Sequence, residues 1–156
     1  MKKVLTILAV LALGNISNVL ADVSGSNSVS VGGGFAEVSV QIYNNGVVAF
    51  DTHAKSKKWN QGVKAETFAI GVDGQGNAIY VSQAFNIPTA CGTTDTCSSN
   101  ARKTFSYNID TAVAGNVSKI DVYIGGRGAL GPTLDGTINK AKEVCNALHI
   151  PCSLGN

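Results

Sequence analysis

The clearest indication of the fold is the stretch from Phe35 to Tyr43, which reads Phe-Ala-Glu-Val-Ser-Val-Gln-Ile-Tyr. Apolar and polar side chains alternate through it, and this period of two is typical of a β-strand with one buried and one wet face. The polar side carries Glu37, Ser39 and Gln41. Asn44-Asn-Gly46 follows, and because Asn and Gly tolerate positive φ, this triplet predicts a tight hairpin turn. We expect Val47 to His53 to return as the partner strand.

The composition around this hairpin also favours β-structure. No Leu occurs between Asp22 and Ala129, whereas the same stretch holds 13 Val and 7 Ile. Side chains branched at Cβ are stiff at χ1 and pack well on a pleated surface, so their enrichment favours strands. We therefore expect the body of the chain to be β.

Further strands are predicted along the chain. A second hairpin is expected from Thr67 to Val72 and from Ala78 to Phe85, joined by the turn Asp73-Gly-Gln-Gly-Asn77. Single strands are expected at 103–109 and 119–124, with a weaker one at 28–31. About seven short strands without intervening helices exclude a parallel α/β fold and predict a mainly β protein, either an antiparallel β-sandwich or a flattened barrel.

The C-terminal part changes character, because Leu returns at Leu130, Leu134, Leu148 and Leu154. Apolar residues then recur at helical spacing on one side, with polar residues on the other. Asp135 or Thr137 can cap this segment, which predicts one C-terminal helix over 135–149 that docks on the sheet. Pro151 ends the helix because proline cannot continue it.

The first 21 residues predict an export signal. Lys2 and Lys3 form a cationic start, residues 4–13 are apolar, and Val19-Leu-Ala21 supplies the small residues of a cleavage site. The apolar run is shorter than the roughly 20 residues of a transmembrane helix. We expect a flexible Ser- and Gly-rich arm over 22–34, one domain over 35–156, and a periplasmic or secreted product whose mature chain has no transmembrane segment.

The balance of basic and acidic residues argues against two classes of binding partner. The chain has 12 basic and 10 acidic residues, and loss of Lys2 and Lys3 with the signal leaves the two signs equal. A chain without net charge offers no electrostatic attraction to nucleic acid or to an anionic membrane. We expect a protein or glycan partner instead.

The predicted export also determines how the four cysteines are interpreted. They are Cys91, Cys97, Cys145 and Cys152. In an oxidising compartment an even number predicts two disulfides, for which three pairings are possible. Closing a short loop costs the least chain entropy, which favours Cys91 with Cys97 and Cys145 with Cys152. Neither gap is a C-x-x-C spacing, so a zinc site and a redox-active pair are disfavoured.

Residues 126–131 read Gly-Arg-Gly-Ala-Leu-Gly and match the G-x-G-x-x-G pattern of dinucleotide-binding turns. Only 25 residues follow, too few to complete a βαβ unit, so we expect no cofactor. Backbone N–H groups of Gly126 and Gly128, together with Arg127, could instead hold a small anion. The alternative is a plain connection between sheet and helix.

Two further groups of residues could form a functional site. Asp51 and His53 lie two apart on a predicted strand, so they share a face and could act as orienter and base of a hydrolase. No G-x-S-x-G elbow supplies the nucleophile, so two surface residues near a strand end are the simpler interpretation. Lys55-Ser-Lys-Lys-Trp59 combines cations with the single Trp, and could bind a sulfated sugar, a nucleic acid or a protein through charge and stacking. Its alternative is a polar loop in which Trp59 closes one end of the core.

No motif fixes an activity, and the sequence as a whole favours an exported, non-catalytic binding or structural module. Such a module would recognise a surface, a glycan or a protein, or take part in an assembly. The first alternative is an inhibitor of a secreted enzyme that inserts the loop between Cys91 and Cys97. The second is a small secreted hydrolase built on Asp51 and His53.

Overall fold

The computed structural model describes residues 22–58, 62–92, 98–126 and 134–149. Within these ranges the chain is mainly β and forms two facing antiparallel sheets, and neither of them closes into a barrel. The elements are β1 (Val23–Val31), β2 (Gly34–Ile42), β3 (Val47–Ser56), β4 (Ala65–Val72), β5 (Ala78–Val81), β6 (Phe85–Asn86), β7 (Asn100–Asn108), α1 (Thr111–Ala114), β8 (Lys119–Gly126) and α2 (Leu134–Leu148). The sandwich predicted from the strand pattern is therefore confirmed.

The front sheet contains β1, β2, β3 and β7, in that order. The hairpin that decides the fold forms as predicted, with the backbone N–H of Tyr43 donating to the carbonyl oxygen of Val47 at 2.8 Å. Gly46 has a φ of 85°, a value that side chains with a Cβ rarely tolerate. The turn therefore fixes the register of β2 against β3.

The back sheet is built on β4, which pairs with β8 along one edge and with β5 and β6 along the other. The second predicted hairpin is present, and the Asp73 carboxylate closes its turn by accepting from the backbone N–H groups of Gln75 and Asn77. The returning strand, expected from Ala78 to Phe85, is shorter than that. The Ser82 hydroxyl takes the place of a backbone carbonyl of the sheet, because it accepts the hydrogen bond from the backbone N–H of Ala69. The strand therefore breaks between β5 and β6.

The segment expected to be a flexible arm, residues 22–34, is instead ordered as strand β1, which pairs with β2 along its whole length. Its small residues allow close approach to β8. A Cβ on Gly25 would come within 2.5 Å of the carbonyl oxygen of Ile120, and the Asn27 side-chain amide donates to the carbonyl oxygen of Val122 at 2.8 Å. A tight turn at Gly32, with a φ of 52°, joins β1 to β2.

The space between the sheets is filled by aromatic and β-branched side chains. Phe50 is 1% exposed, and its ring centroid lies 5.0 Å from that of Phe105 and 5.1 Å from that of Phe85. Burying one such ring stabilises the fold by about 1.5–3 kcal/mol. This core holds the two sheets face to face.

The predicted C-terminal helix is confirmed as α2, which begins one residue earlier than expected and packs on the back sheet. Its residue Cys145 lies against Phe68 and Ile70, on the side of the back sheet that faces away from the front sheet. The short helix α1, capped by Asp110, was not predicted. Of the helices that the structure describes, none is both long and apolar enough to cross a bilayer.

Candidate functional site

The front face is the outward side of the front sheet, and most of its side chains are exposed. The strand registers align these side chains in rows that cross all four strands. The first row has Ser28, Glu37, His53 and Arg102. The second has Ser26, Ser39, Asp51 and Thr104, and the third has Ser24, Gln41, Ala49 and Ser106.

Two adjoining depressions follow these three rows, and together we call them the polar groove. Their volumes are about 520 Å³ over the first and second rows and about 410 Å³ over the second and third. They share Ser39 and Asp51, so the groove is continuous. Small side chains such as Ser39 and Ala49 form low points between longer ones such as Glu37 and Arg102, which explains why a sheet surface is concave here.

His53 is the most constrained side chain of the groove. Its Nδ1 lies 3.1 Å from Oε2 of Glu37, and its Nε2 lies 2.7 Å from Oδ1 of Asn100. The edge of the ring meets the Phe35 ring at a centroid distance of 5.4 Å. The His53 side chain is only 14% exposed, whereas that of Glu37 is 51% exposed. The imidazole is therefore held from three sides while the carboxylate reaches solvent.

This arrangement differs from the pair expected from the sequence. Asp51 and His53 do share a face, but the carboxylate that contacts the imidazole belongs to Glu37 on the neighbouring strand. Side chains two apart along a strand are separated by about 7 Å, whereas directly opposed ones are about 5 Å apart, so cross-strand pairing prevails. Both nitrogens of His53 already have oxygen partners, which leaves neither in position to take a proton from a nucleophile.

Asp51 and Arg102 complete the charged groups of the groove. Both side chains are exposed, and within the described part of the chain neither has a hydrogen-bond or ion-pair partner. A carboxylate only accepts hydrogen bonds and a guanidinium only donates them. Among the described charged groups, Asp51 is therefore an acceptor and Arg102 a donor without a partner on a rigid sheet.

The glycine-rich turn is only partly described. Gly126 ends β8 and is buried, and a Cβ there would come within 2.6 Å of Cγ1 of Val31. This glycine is thus required for packing. Arg127 and Gly128 lie outside the described residues, so the anion site stays a prediction.

The lysine-rich segment is divided in the same way. The Nζ atom of Lys57 lies 5.3 Å from the centroid of the Phe35 ring, a cation–π contact on the front sheet. Trp59 lies outside the described residues, and its role at a sugar or protein contact stays a prediction.

The cysteines are consistent with cross-linking. Cys91 and Cys145 carry no free thiol, and Cys145 is 1% exposed. Cys97 and Cys152 lie outside the described residues, so the local pairing of the four stays a prediction.

Comparison with known proteins does not add an identity. No family profile, no curated protein and no solved structure matches the chain. The site must therefore be interpreted from its own chemistry. Sequence reasoning missed Glu37 and Asn100 as partners of His53, and it missed that Arg102 lies opposite His53 in the first row, although the polar face that holds Glu37 was already apparent from the alternation of side chains.

Proposed function

We propose that the chain is an exported, non-catalytic binding module whose binding surface is the polar groove. The observation that carries this proposal is the contrast between His53, fixed by Glu37 and Asn100, and the unpartnered Asp51 and Arg102 beside it. Fixed neighbours and free hydrogen-bonding groups on a rigid scaffold reduce the entropy lost when a ligand binds.

Two features support binding over catalysis. The imidazole of His53 is engaged at both nitrogens, so the base that a hydrolase requires is occupied. The groove is open along the sheet, a shape that suits an extended ligand laid across the three rows.

Two features support export. The segment before Asp22 has the composition of a cleavable signal, and Asp22 is already part of the fold, because its carboxylate accepts from the backbone N–H of Asn44 at 3.2 Å. The absence of a free thiol at Cys91 and Cys145 fits an oxidising compartment.

The test is a pair of variants that differ only in position. Ser39→Lys puts an ammonium group in the centre of the groove, directly opposite Asp51, whereas Ser30→Lys makes the same change on the front face outside the three rows. The purified mature protein is mixed with washed extracellular material of the producing organism, and the fraction that sediments with it is measured. We expect the wild type and Ser30→Lys to be retained and Ser39→Lys to be lost. Equal retention of all three proteins would exclude the groove as the binding surface.

A further inference from the structure

We infer that the ligand of the polar groove is an extended, uncharged glycan that lies along the strands and uses its hydroxyl groups to bridge Asp51 and Arg102. This inference rests on the proposed function and adds the chemical class of the ligand. It is carried by three properties of the groove, namely its charge, its length and the absence of Phe, Tyr and Trp among the described side chains of its three rows.

The charge of the groove favours an uncharged ligand. Its charged groups are the carboxylates of Glu37 and Asp51 and the guanidinium of Arg102. An anionic ligand would meet two carboxylates, and a cationic one would meet the guanidinium. Hydroxyl groups donate to carboxylates and accept from guanidinium groups, so a polyhydroxylated chain satisfies both kinds of partner without charge.

The length of the groove favours a chain over a single sugar. Successive rows are two residues apart along each strand, which corresponds to roughly 7 Å, so the first and third rows are about 14 Å apart. The two depressions meet at Ser39 and Asp51, which places the unpartnered carboxylate midway along the groove. A ligand that contacts all three rows must therefore be longer than one pyranose ring.

Among the described side chains of the three rows, none is Phe, Tyr or Trp, and the single arginine, Arg102, is exposed. Binding energy at protein interfaces concentrates in aromatic and Arg side chains buried in apolar pockets. Phe35 is the aromatic side chain nearest the first row, and its ring is already contacted by His53 and Lys57. The hydroxyl, amide and carboxylate groups of the three rows instead offer dispersed hydrogen bonding. A glycan is therefore favoured, and a protein ligand is one outcome of the test.

The probes are β-1,4-linked oligomers of glucose and of N-acetylglucosamine, from two to six units, added to the full mature protein in a calorimeter. We expect one of the two series to bind, with an affinity that rises up to about three units and then levels off, one unit for each row. Asp51→Asn should weaken that binding by about tenfold to a hundredfold, because hydrogen bonds to an ionised acceptor are lost. Glu66→Gln makes the same change on the back sheet and should leave the affinity unaltered.

The outcomes separate this inference from the proposed function. If Ser39→Lys abolishes retention on extracellular material but glycosidase treatment of that material leaves retention intact while protease treatment removes it, the groove binds a protein and the glycan inference is wrong. If Asp51→Asn binds the oligomers as the wild type does, the proposed bridging role of Asp51 is wrong. If retention is the same for Ser39→Lys and the wild type, the proposed function itself fails.

Discussion

Tyr80 and Tyr107 bring two hydroxyl groups together between the sheets, where they hydrogen-bond to each other. Burial raises the pKa of Tyr107 to about 12, and it raises that of Tyr80 still further, with an added contribution from Tyr107. Both hydroxyls are therefore neutral in the folded protein at any pH at which the unfolded chain keeps its phenols protonated. The pair acts as a polar contact between the sheets, where Thr52, Thr67 and Ser82 are also buried.

The sign of the resulting pH dependence follows from linkage. A phenol with a raised pKa in the folded state contributes its full stability below pH 10, where the unfolded chain begins to ionise, and loses that contribution as the pH rises through the folded pKa. We expect the free energy of unfolding, measured by urea denaturation, to fall between pH 10 and 12. Tyr80→Phe should make this decline less steep. An unchanged slope would show that Tyr80 is not buried in its neutral form.

Individual residues of the groove also explain why it could be predicted only in part from the sequence. Counting outward from the Asn44 to Gly46 turn places Glu37 opposite His53, so this contact was within reach of the sequence once the turn was taken as tight. Asn100 and Arg102 were not within reach, because Asn100 lies 47 positions from His53 and its alignment depends on how β7 joins β3. Registers set by a short turn can be counted, whereas those set by a long connection depend on packing.

Among the secondary-structure elements, the contact between β1 and β8 could not be predicted from the amino-acid composition. Serine and glycine suggested a flexible arm, but inward positions of β1 are small or apolar and fit against the backbone of β8. The hydrogen bond from Asn27 to Val122 spans 95 positions of sequence. Small residues can indicate flexibility or close approach, and only the opposing strand decides between them.

Gly25→Ala tests this contact. The new Cβ would lie 2.5 Å from the carbonyl oxygen of Ile120, which belongs to the backbone and cannot rotate away. We expect the free energy of unfolding in urea to fall by about 1–3 kcal/mol. Gly74→Ala is the control, since nothing lies within 4 Å of its Cβ position, and its effect should stay within about 0.5 kcal/mol. Equal effects of the two variants would mean that β1 does not pack against β8.

Within the described residues, strand β7 pairs only with β3 and so forms an edge of the front sheet. Lys103 lies opposite the inward-facing Thr52 yet remains exposed. A charged residue on the inward side of an edge strand discourages pairing with a second chain. We therefore expect Lys103 to protect the edge from self-association.

Lys103→Val should increase self-association, measured as the weight-average mass in sedimentation equilibrium. Lys55→Val is the matched control, because Lys55 belongs to β3, which is already paired on both sides. We expect the control to remain at the mass of the wild type. A monomeric Lys103→Val protein would show that another feature protects the edge.

At the scale of the whole molecule, the described residues form one unit of two sheets and α2, and among them the front face is exposed to solvent. Export and cross-linking predict a mature protein that begins at Asp22 and contains two disulfides. Each short disulfide loop should contribute on the order of 2–3 kcal/mol to the free energy of unfolding. Intact-mass measurement before and after reduction and alkylation checks both statements, and four alkylated cysteines in the unreduced protein would contradict them.

The central claim, that the front face binds ligand, is tested most directly by amide chemical shifts. The ¹⁵N-labelled mature protein is titrated with the oligosaccharide series that binds in the calorimeter, or with the extracellular fraction that retains the protein if neither series binds. We expect the amides of Ser39, Asp51 and Thr104 and their neighbours on β2, β3 and β7 to shift together, while those of β4 and α2 stay in place. Shifts confined to the back sheet or to the loops, with the three rows unaffected, would contradict it.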